Sequence, residues 1–148
     1  MMRLGVDASN IRAGGGVTHL IELLSVANPK QHGIQSVTIW GGSHLQSLLP
    51  QRDWLILKTP AALDKNIIHR LLWKRFQLKR LLTKHCDVLF VPGSLYLGNF
   101  RPFVTMSRNL LPFDLVETRR YWWTLTGVRL FLLRQGQRYT FNRAEHVI

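Results

Sequence analysis

Three consecutive glycines, Gly14 to Gly16, stand between a predicted strand and a predicted helix near the start of the chain. In that position a glycine-rich turn lets backbone N–H groups approach an anion, and the helix dipole adds partial positive charge. The triplet therefore predicts anion binding, although a turn selected only for its backbone freedom also fits. Two familiar phosphate motifs are excluded, because His19 replaces the last glycine of the dinucleotide fingerprint and no lysine follows Gly16 as in a P-loop.

A second candidate is the basic amphipathic segment from Lys65 to Lys84, which contains no acidic residue. It is predicted to be one helix with Asp64 as its N-cap. Its apolar stripe is formed by Ile67, Ile68, Leu71, Leu72, Phe76, Leu78, Leu81 and Leu82. The bases around that stripe are Lys65, Arg70, Lys74, Arg75, Lys79 and Lys84. Such a helix can rest on an anionic membrane surface, or it can pack its stripe on a sheet while its bases face water. A combination, with the stripe in the core and the bases toward lipid phosphates, is also consistent with the pattern.

Three of the histidines and the one cysteine give weaker indications of function. His19 follows the glycine loop, where it can meet a phosphate or simply face solvent. His69 and His85 are too far apart in sequence for a metal pair, so no metal site is predicted. The single cysteine, Cys86, directly precedes a predicted buried strand and is interpreted as a small core residue rather than a nucleophile.

The elements that must position these residues alternate along the chain. Strands are predicted at 3–8, 36–40, 53–57, 87–91 and 103–106, and helices at 17–27, 43–49, 65–84 and over most of 116–143. This order predicts an α/β fold with a doubly wound, mostly parallel, Rossmann-like sheet in one domain spanning residues 1–148. The chain stops inside an apparent strand at 145–148, which predicts that it is part of a longer protein.

The charge balance is strongly positive. Twenty Lys and Arg residues against eight Asp and Glu give a net charge of +12, which predicts attraction to phosphate groups, acidic lipid headgroups or nucleic acid. No uncharged apolar run approaches the ~20 residues of a spanning helix, and the N-terminus lacks the apolar stretch of a signal peptide. The chain is therefore predicted to be cytoplasmic, or peripheral on the inner face of the membrane.

Three segments carry a family resemblance: MRLGVDASNIRAGGGVTHLIELL at the start, FVTMSRNLLPFD at 103–114 and FNRAEHVI at 141–148. Together they resemble the N-terminal domain of the group 1 (family 4) glycosyltransferases, which have the GT-B fold. The first is similar to the family's opening strand, glycine-rich loop and helix. The second is similar to a strand that ends in a polar residue before an apolar, proline and aromatic stretch. The third is similar to an Arg-Ala-acid stretch before the last strand of that domain, so the resemblance covers essentially the whole chain.

The resemblance implies the acceptor-side half of an enzyme that transfers a sugar from a nucleotide-sugar donor to a saccharide or lipid-linked acceptor in glycan biosynthesis. The loop Gly14, Gly15 and Gly16 would face the donor phosphates, and the acceptor side would be lined by His19, Arg108, Asn109 and Asp114. The C-terminal domain that holds most of the donor site is absent, so the chain alone is expected to be inactive. No cofactor is implied beyond the donor substrate.

Two of these residues have structural alternatives. Many relatives have a histidine where this chain has Asn109, and an asparagine can hydrogen-bond a sugar hydroxyl or close a turn but cannot act as a general base. Asp114 can orient an acceptor or cap a helix that begins near Val116.

Two other functions fit parts of the sequence. The net charge of +12, with aromatic residues among arginines, is consistent with a basic nucleic-acid-binding module, although no nucleic-acid motif is present. The chain also fits a non-catalytic partner subunit of a split glycosyltransferase.

Overall fold

Across the residues that the computed structural model describes, 1–93, 95–107, 111–121 and 123–148, six strands form one parallel sheet. The strands are β1 (Met2–Asp7), β2 (Ile34–Trp40), β3 (Leu55–Lys58), β4 (Val88–Val91), β5 (Phe103–Thr105) and β6 (His146–Val147). Their order across the sheet is β3-β2-β1-β4-β5-β6. Parallel strands need crossover segments between them, and here those crossovers cover both faces of the sheet. The predicted doubly wound α/β fold is confirmed.

The crossovers are mostly helical. The α-helices are α1 (Gly15–Val26), α2 (Ser43–Leu48), α3 (Ile67–Trp73), α4 (Lys79–His85), α5 (Leu115–Arg120) and α6 (Leu125–Phe141). Short 3-10 turns occupy Pro29–His32, Ala61–Leu63 and Leu111–Phe113. The segment predicted as helical from 116 to 143 is thus two helices, and α6 begins at its own N-cap, where Thr124 Oγ1 accepts a hydrogen bond from Gly127 N at 3.3 Å.

Two apolar clusters hold the helices on the sheet, one on each face. On one face α1 and α2 pack against alternate strand residues, and this cluster includes Val6, Val17, Leu20, Ile39 and Leu45. On the other face lie the residues from α3 to α4, together with the loop after β4, and this cluster includes Trp40, Trp73, Leu78, Leu82, Leu89 and Tyr96. The helix α6 joins the second face, because Thr140 Oγ1 accepts a hydrogen bond from Tyr96 N at 3.0 Å. Cys86 is buried in this cluster, as expected, and burial raises the pKa of its thiol to about 11.

The helix predicted at 65–84 spans residues 67–85 and changes its winding midway. It consists of α3, a π-helical segment at Lys74–Leu78, and α4; we call the whole the crossover helix. Its N-cap is Asn66, whose side chain accepts a hydrogen bond from His69 N at 3.1 Å. The prediction that Asp64 caps this helix was wrong. Asp64 Oδ1 instead accepts a hydrogen bond from Ser43 N at 2.8 Å, at the start of α2.

The π segment decides which side of the crossover helix is buried. Trp73 and Leu78 are five residues apart, which would place them on different sides of a regular α-helix, since residues three or four apart share a face. A π turn bonds each residue to the fifth along the chain and absorbs the extra residue. Trp73, Leu78 and Leu82 therefore share one buried face. The opposite face exposes Ile67, Ile68, Leu71, Leu72 and Phe76, so the alternatives in which the whole stripe packs in the core are wrong.

Gly5, in the middle of β1, has no room for a side chain. An added Cβ would lie 2.8 Å from Cys86 Sγ and 3.1 Å from Trp40 Cζ3. We therefore expect Gly5→Ala to lower the free energy of unfolding by about 1–3 kcal/mol through overpacking, measured by urea denaturation. Adding Cys86→Ala removes the closest contact, so the double variant should be more stable than the sum of the two single effects predicts.

The control for that test is Gly93→Ala, because a Cβ there would meet no described atom within 4 Å. If Gly5→Ala lowers the free energy of unfolding no more than Gly93→Ala does, β1 does not pack this closely against the crossover helix.

A surface ion pair joins β1 to the segment that leads into β4. Arg3 Nη2 donates to Asp87 Oδ1 at 2.9 Å, and Arg3 N donates to Asp87 Oδ2 at 2.7 Å. The hydrogen bonds from Arg3 lower the pKa of Asp87 from 3.8 to about 2. A carboxylate with a depressed pKa adds stability above its unfolded pKa, and that stability is lost as the pH falls through the folded pKa.

Wild-type protein should therefore lose stability relative to Asp87→Asn as the pH falls from 3.8 toward about 2. The measurement is urea unfolding of both proteins at several pH values across that window. A stability difference that stays constant with pH would show that the ion pair does not form.

Candidate functional site

The carboxyl ends of the strands form one edge of the sheet, which we call the carboxyl edge. The chain runs from β1 to β2 on one side of β1, whereas β4 lies on its other side. In open α/β sheets, ligands bind in the crevice at such a reversal of strand order. Here β1 ends at Asp7 and β4 ends at Val91, so the loops that follow these two residues border the crevice.

The glycine loop lies at this edge and opens α1. Gly14 is the N-cap with a φ of 70°, a value that favours glycine, and no side chain of the described residues caps this helix end. Gly15 is already helical, so its backbone does not require glycine. A Cβ added at Gly14 or Gly15 would meet no described atom within 4 Å. The absence of a side chain at Gly15 therefore leaves the first N–H groups of α1 open to an approaching ligand.

A polar cavity of about 250 Å³ lies where the loops after β1, β2 and β3 meet. The side chains of Arg12 and His44 line it, together with buried Ser9. Asp64 also lines the cavity, but its Oδ1 is engaged by Ser43 N. The cavity thus holds Arg12 and His44, which can donate hydrogen bonds, and the carboxylate of Asp64, so it suits a polar ligand.

A buried ion pair lies at the end of β1, on the opposite face of the sheet. Lys74 Nζ is 2.9 Å from Asp7 Oδ2, and the two side chains are 15% and 0% exposed. Asp7 Oδ1 accepts hydrogen bonds from Ser9 N at 3.2 Å and Ser9 Oγ at 2.5 Å. Asp7 Oδ2 has no hydrogen-bond donor among the described residues. The lysine therefore neutralises Asp7 through charge, and the pair fixes the π segment of the crossover helix against β1.

A second cavity, largely apolar and about 240 Å³ in volume, opens next to this ion pair between the loop after β1 and the loop after β4. Its lining residues are Asn10, Leu71, Lys74, Arg75, Leu95, Leu97 and Gly98. Arg75 is exposed, whereas Lys74 is largely committed to Asp7. The cavity can accept a ligand that is mostly apolar and carries one anionic or hydroxyl-bearing end.

The predicted site residues are only partly gathered at this edge. His19 lies exposed on α1, four residues after Gly15 and hence on the same helix face. Asp114 Oδ1 accepts a hydrogen bond from Val116 N at 3.0 Å, the capping role anticipated for it. Arg108 and Asn109 lie outside the described residues, so their acceptor role stays a prediction.

The five residues of the predicted basic surface differ in exposure. Arg75, Lys79 and Lys84 are exposed along the crossover helix. Arg70 is partly buried, and its Nε has no hydrogen-bond partner among the described residues. Lys74 departs from the prediction, because its ammonium turns inward to Asp7.

Sequence patterns had not identified Asp7, Ser9, Arg12 and His44 as site residues. The one available signal was Asp7, an acid at the end of an otherwise apolar strand. Among the described residues, no three His, Cys, Asp or Glu side chains are grouped as a metal site would require. Nor, in the described part of the chain, does any helix have the length and apolar character needed to cross a membrane.

Comparison of the chain with family models, with curated proteins and with solved structures finds no match.

Proposed function

We propose that this chain is the acceptor-side half of a glycosyltransferase that moves a sugar from a nucleotide-sugar to a saccharide or lipid-linked acceptor. The three segments that resemble the group 1 (family 4) glycosyltransferases support this, and the doubly wound sheet is compatible with the N-terminal half of a GT-B enzyme. The rest of the donor site would come from a second domain, either continuous with this chain or on a separate subunit.

The observation that carries the proposal is the open glycine loop at the carboxyl edge, which closely follows Arg12 of the polar cavity along the chain. In glycosyl transfer, the bond between the anomeric carbon and the diphosphate oxygen breaks, and the acceptor hydroxyl oxygen bonds to that carbon as it loses its proton. Negative charge grows on the departing diphosphate, so fixed donors around it lower the barrier. The N–H groups at the start of α1, with Arg12 nearby, are suited to that task.

The apolar cavity is the natural acceptor side, because it lies in the same edge of the sheet across the end of β1. Asn10 offers an amide to a hydroxyl, and Arg75 offers charge to an acceptor phosphate. The leucine side chains suit the apolar part of a lipid-linked acceptor.

The experiment that tests the proposal is release of nucleoside diphosphate from a panel of nucleotide-sugars, with acceptor extracts added. It is performed on the protein together with whatever sequence its reading frame adds after Ile148. The rival function, a nucleic-acid-binding module, instead predicts binding to any duplex with a steep dependence on salt and no sugar release.

A further inference from the structure

The exposed face of the crossover helix is apolar to a degree that the fold itself does not explain. Ile67, Ile68, Leu71, Leu72 and Phe76 are each between 52% and 69% exposed. Ile67 and Leu71 are four residues apart, as are Ile68, Leu72 and Phe76, so they form two adjacent rows along the exposed side of the helix. The opposite side is already buried through Trp73, Leu78 and Leu82, so the helix cannot rotate to hide this face without exposing the core.

This face continues onto a neighbouring helix. The first half of α6 exposes Leu125, Val128 and Leu132, which line a shallow apolar groove with Leu95. Leu95 also lines the apolar cavity beside Leu71. Leu95 therefore borders apolar residues of both helices. We call this combined area the apolar face; its members are Ile67, Ile68, Leu71, Leu72, Phe76, Leu125, Val128 and Leu132.

Positive charge adjoins the apolar face along the crossover helix. Arg75, Lys79, Arg80 and Lys84 line an open groove along the crossover helix, next to Phe76. The sequence has no acid from 65 to 86, and none from 118 to 144, which covers α6. A partner for this area must therefore offer both an apolar phase and negative charge.

We propose that the apolar face and its adjoining bases dock on the surface of an anionic lipid bilayer. The acyl region would take the leucine, isoleucine and phenylalanine side chains, while the bases meet lipid phosphates. A nucleic acid supplies the charge but no apolar phase. A second copy of this chain would bring a net charge of +12 against the same positive charge. This inference goes beyond the proposed transferase and does not depend on it.

Docking on a bilayer would also affect the proposed function. This point, unlike the docking itself, rests on that function. The apolar cavity shares Leu71 and Arg75 with the docking surface. A lipid-linked acceptor could then reach the carboxyl edge from the bilayer without passing through water.

The test is flotation of the purified protein with vesicles of phosphatidylcholine alone, and of phosphatidylcholine and phosphatidylglycerol in equal amounts. We expect binding to the anionic vesicles and little to the neutral ones. Leu71→Gln combined with Phe76→Gln should weaken that binding by about 100-fold, and Phe76→Leu alone should largely preserve it. Lys79→Gln with Arg80→Gln should weaken it by about 30-fold.

The matched control is Val26→Gln with Lys30→Gln, which removes one exposed apolar side chain and one base near the end of α1. It should bind like wild type, and unfolding curves should show that all variants fold, since every changed side chain is exposed. Equal binding to both vesicle types would overturn the proposal. So would binding of duplex DNA without vesicle binding, or a dimer in solution that Leu71→Gln dissociates.

Discussion

Replacing Lys74 by methionine should lower the free energy of unfolding by about 3–5 kcal/mol, because it leaves a buried carboxylate without its counter-charge. Asp7 is completely buried, and Lys74 Nζ at 2.9 Å is its ionic partner. Ser9 still donates to Oδ1, but hydrogen bonds to one oxygen do not replace a neutralising charge. Equilibrium urea denaturation measures the loss.

Two companion variants identify its cause. Asp7→Asn added to Lys74→Met removes the unpaired charge, so the double variant should regain much of the lost stability. Lys79→Met removes an exposed lysine one turn further along the crossover helix and should change stability little. A Lys74→Met variant as stable as Lys79→Met would mean that the ion pair does not hold β1 and the crossover helix together.

In the protein together with any sequence that its frame adds after Ile148, Gly15→Asp should reduce the kcat/KM for nucleotide-sugar by about 100-fold, since it places a carboxylate where the donor diphosphate is proposed to bind. The same change should leave folding intact, because a Cβ at Gly15 meets no described atom within 4 Å. An acid in the first turn of a helix is favourable to the dipole, so stability should even rise by about 0.3–1 kcal/mol. Activity and stability are thus expected to move in opposite directions.

The neutral variant Gly15→Asn separates charge from bulk. It has nearly the shape of aspartate and should keep a larger share of the activity than Gly15→Asp. Unchanged kinetics in both variants would exclude the glycine loop from donor binding. Loss of folding in Gly15→Asp would contradict the open surroundings of this residue.

Much of the fold could be predicted because it depends on local patterns. Short β-rich runs such as those that end at Asp7 and Val91 alternate with amphipathic segments, and that alternation dictates a parallel sheet with crossovers. The crossover helix shows the limit of such patterns. Its apolar positions look like one broad stripe, but the π segment divides them into a buried face with Trp73 and an exposed face with Leu71. No residue type signals a π turn, so periodicity alone could not separate the two faces.

The site could be predicted less well, because its contacts join residues that are distant in sequence. The glycine loop was identified from its place between a strand and a helix. The pair Asp7–Lys74 was not, since 67 positions separate the two residues and Lys74 stands in a run of bases that resembles a solvated face. Asp64 was assigned to the nearest helix in sequence, whereas it caps one that is near only in space.

The most direct test of the proposed transferase half is a single assay for release of nucleoside diphosphate. The protein, with any sequence that its frame adds after Ile148, is incubated with uridine, guanosine and adenosine diphosphate sugars in turn. A glycosyltransferase should release one nucleoside diphosphate over time, faster when an acceptor extract is present, and Gly15→Asp should suppress that release. Absence of release and of binding for every nucleotide-sugar would contradict the proposed function.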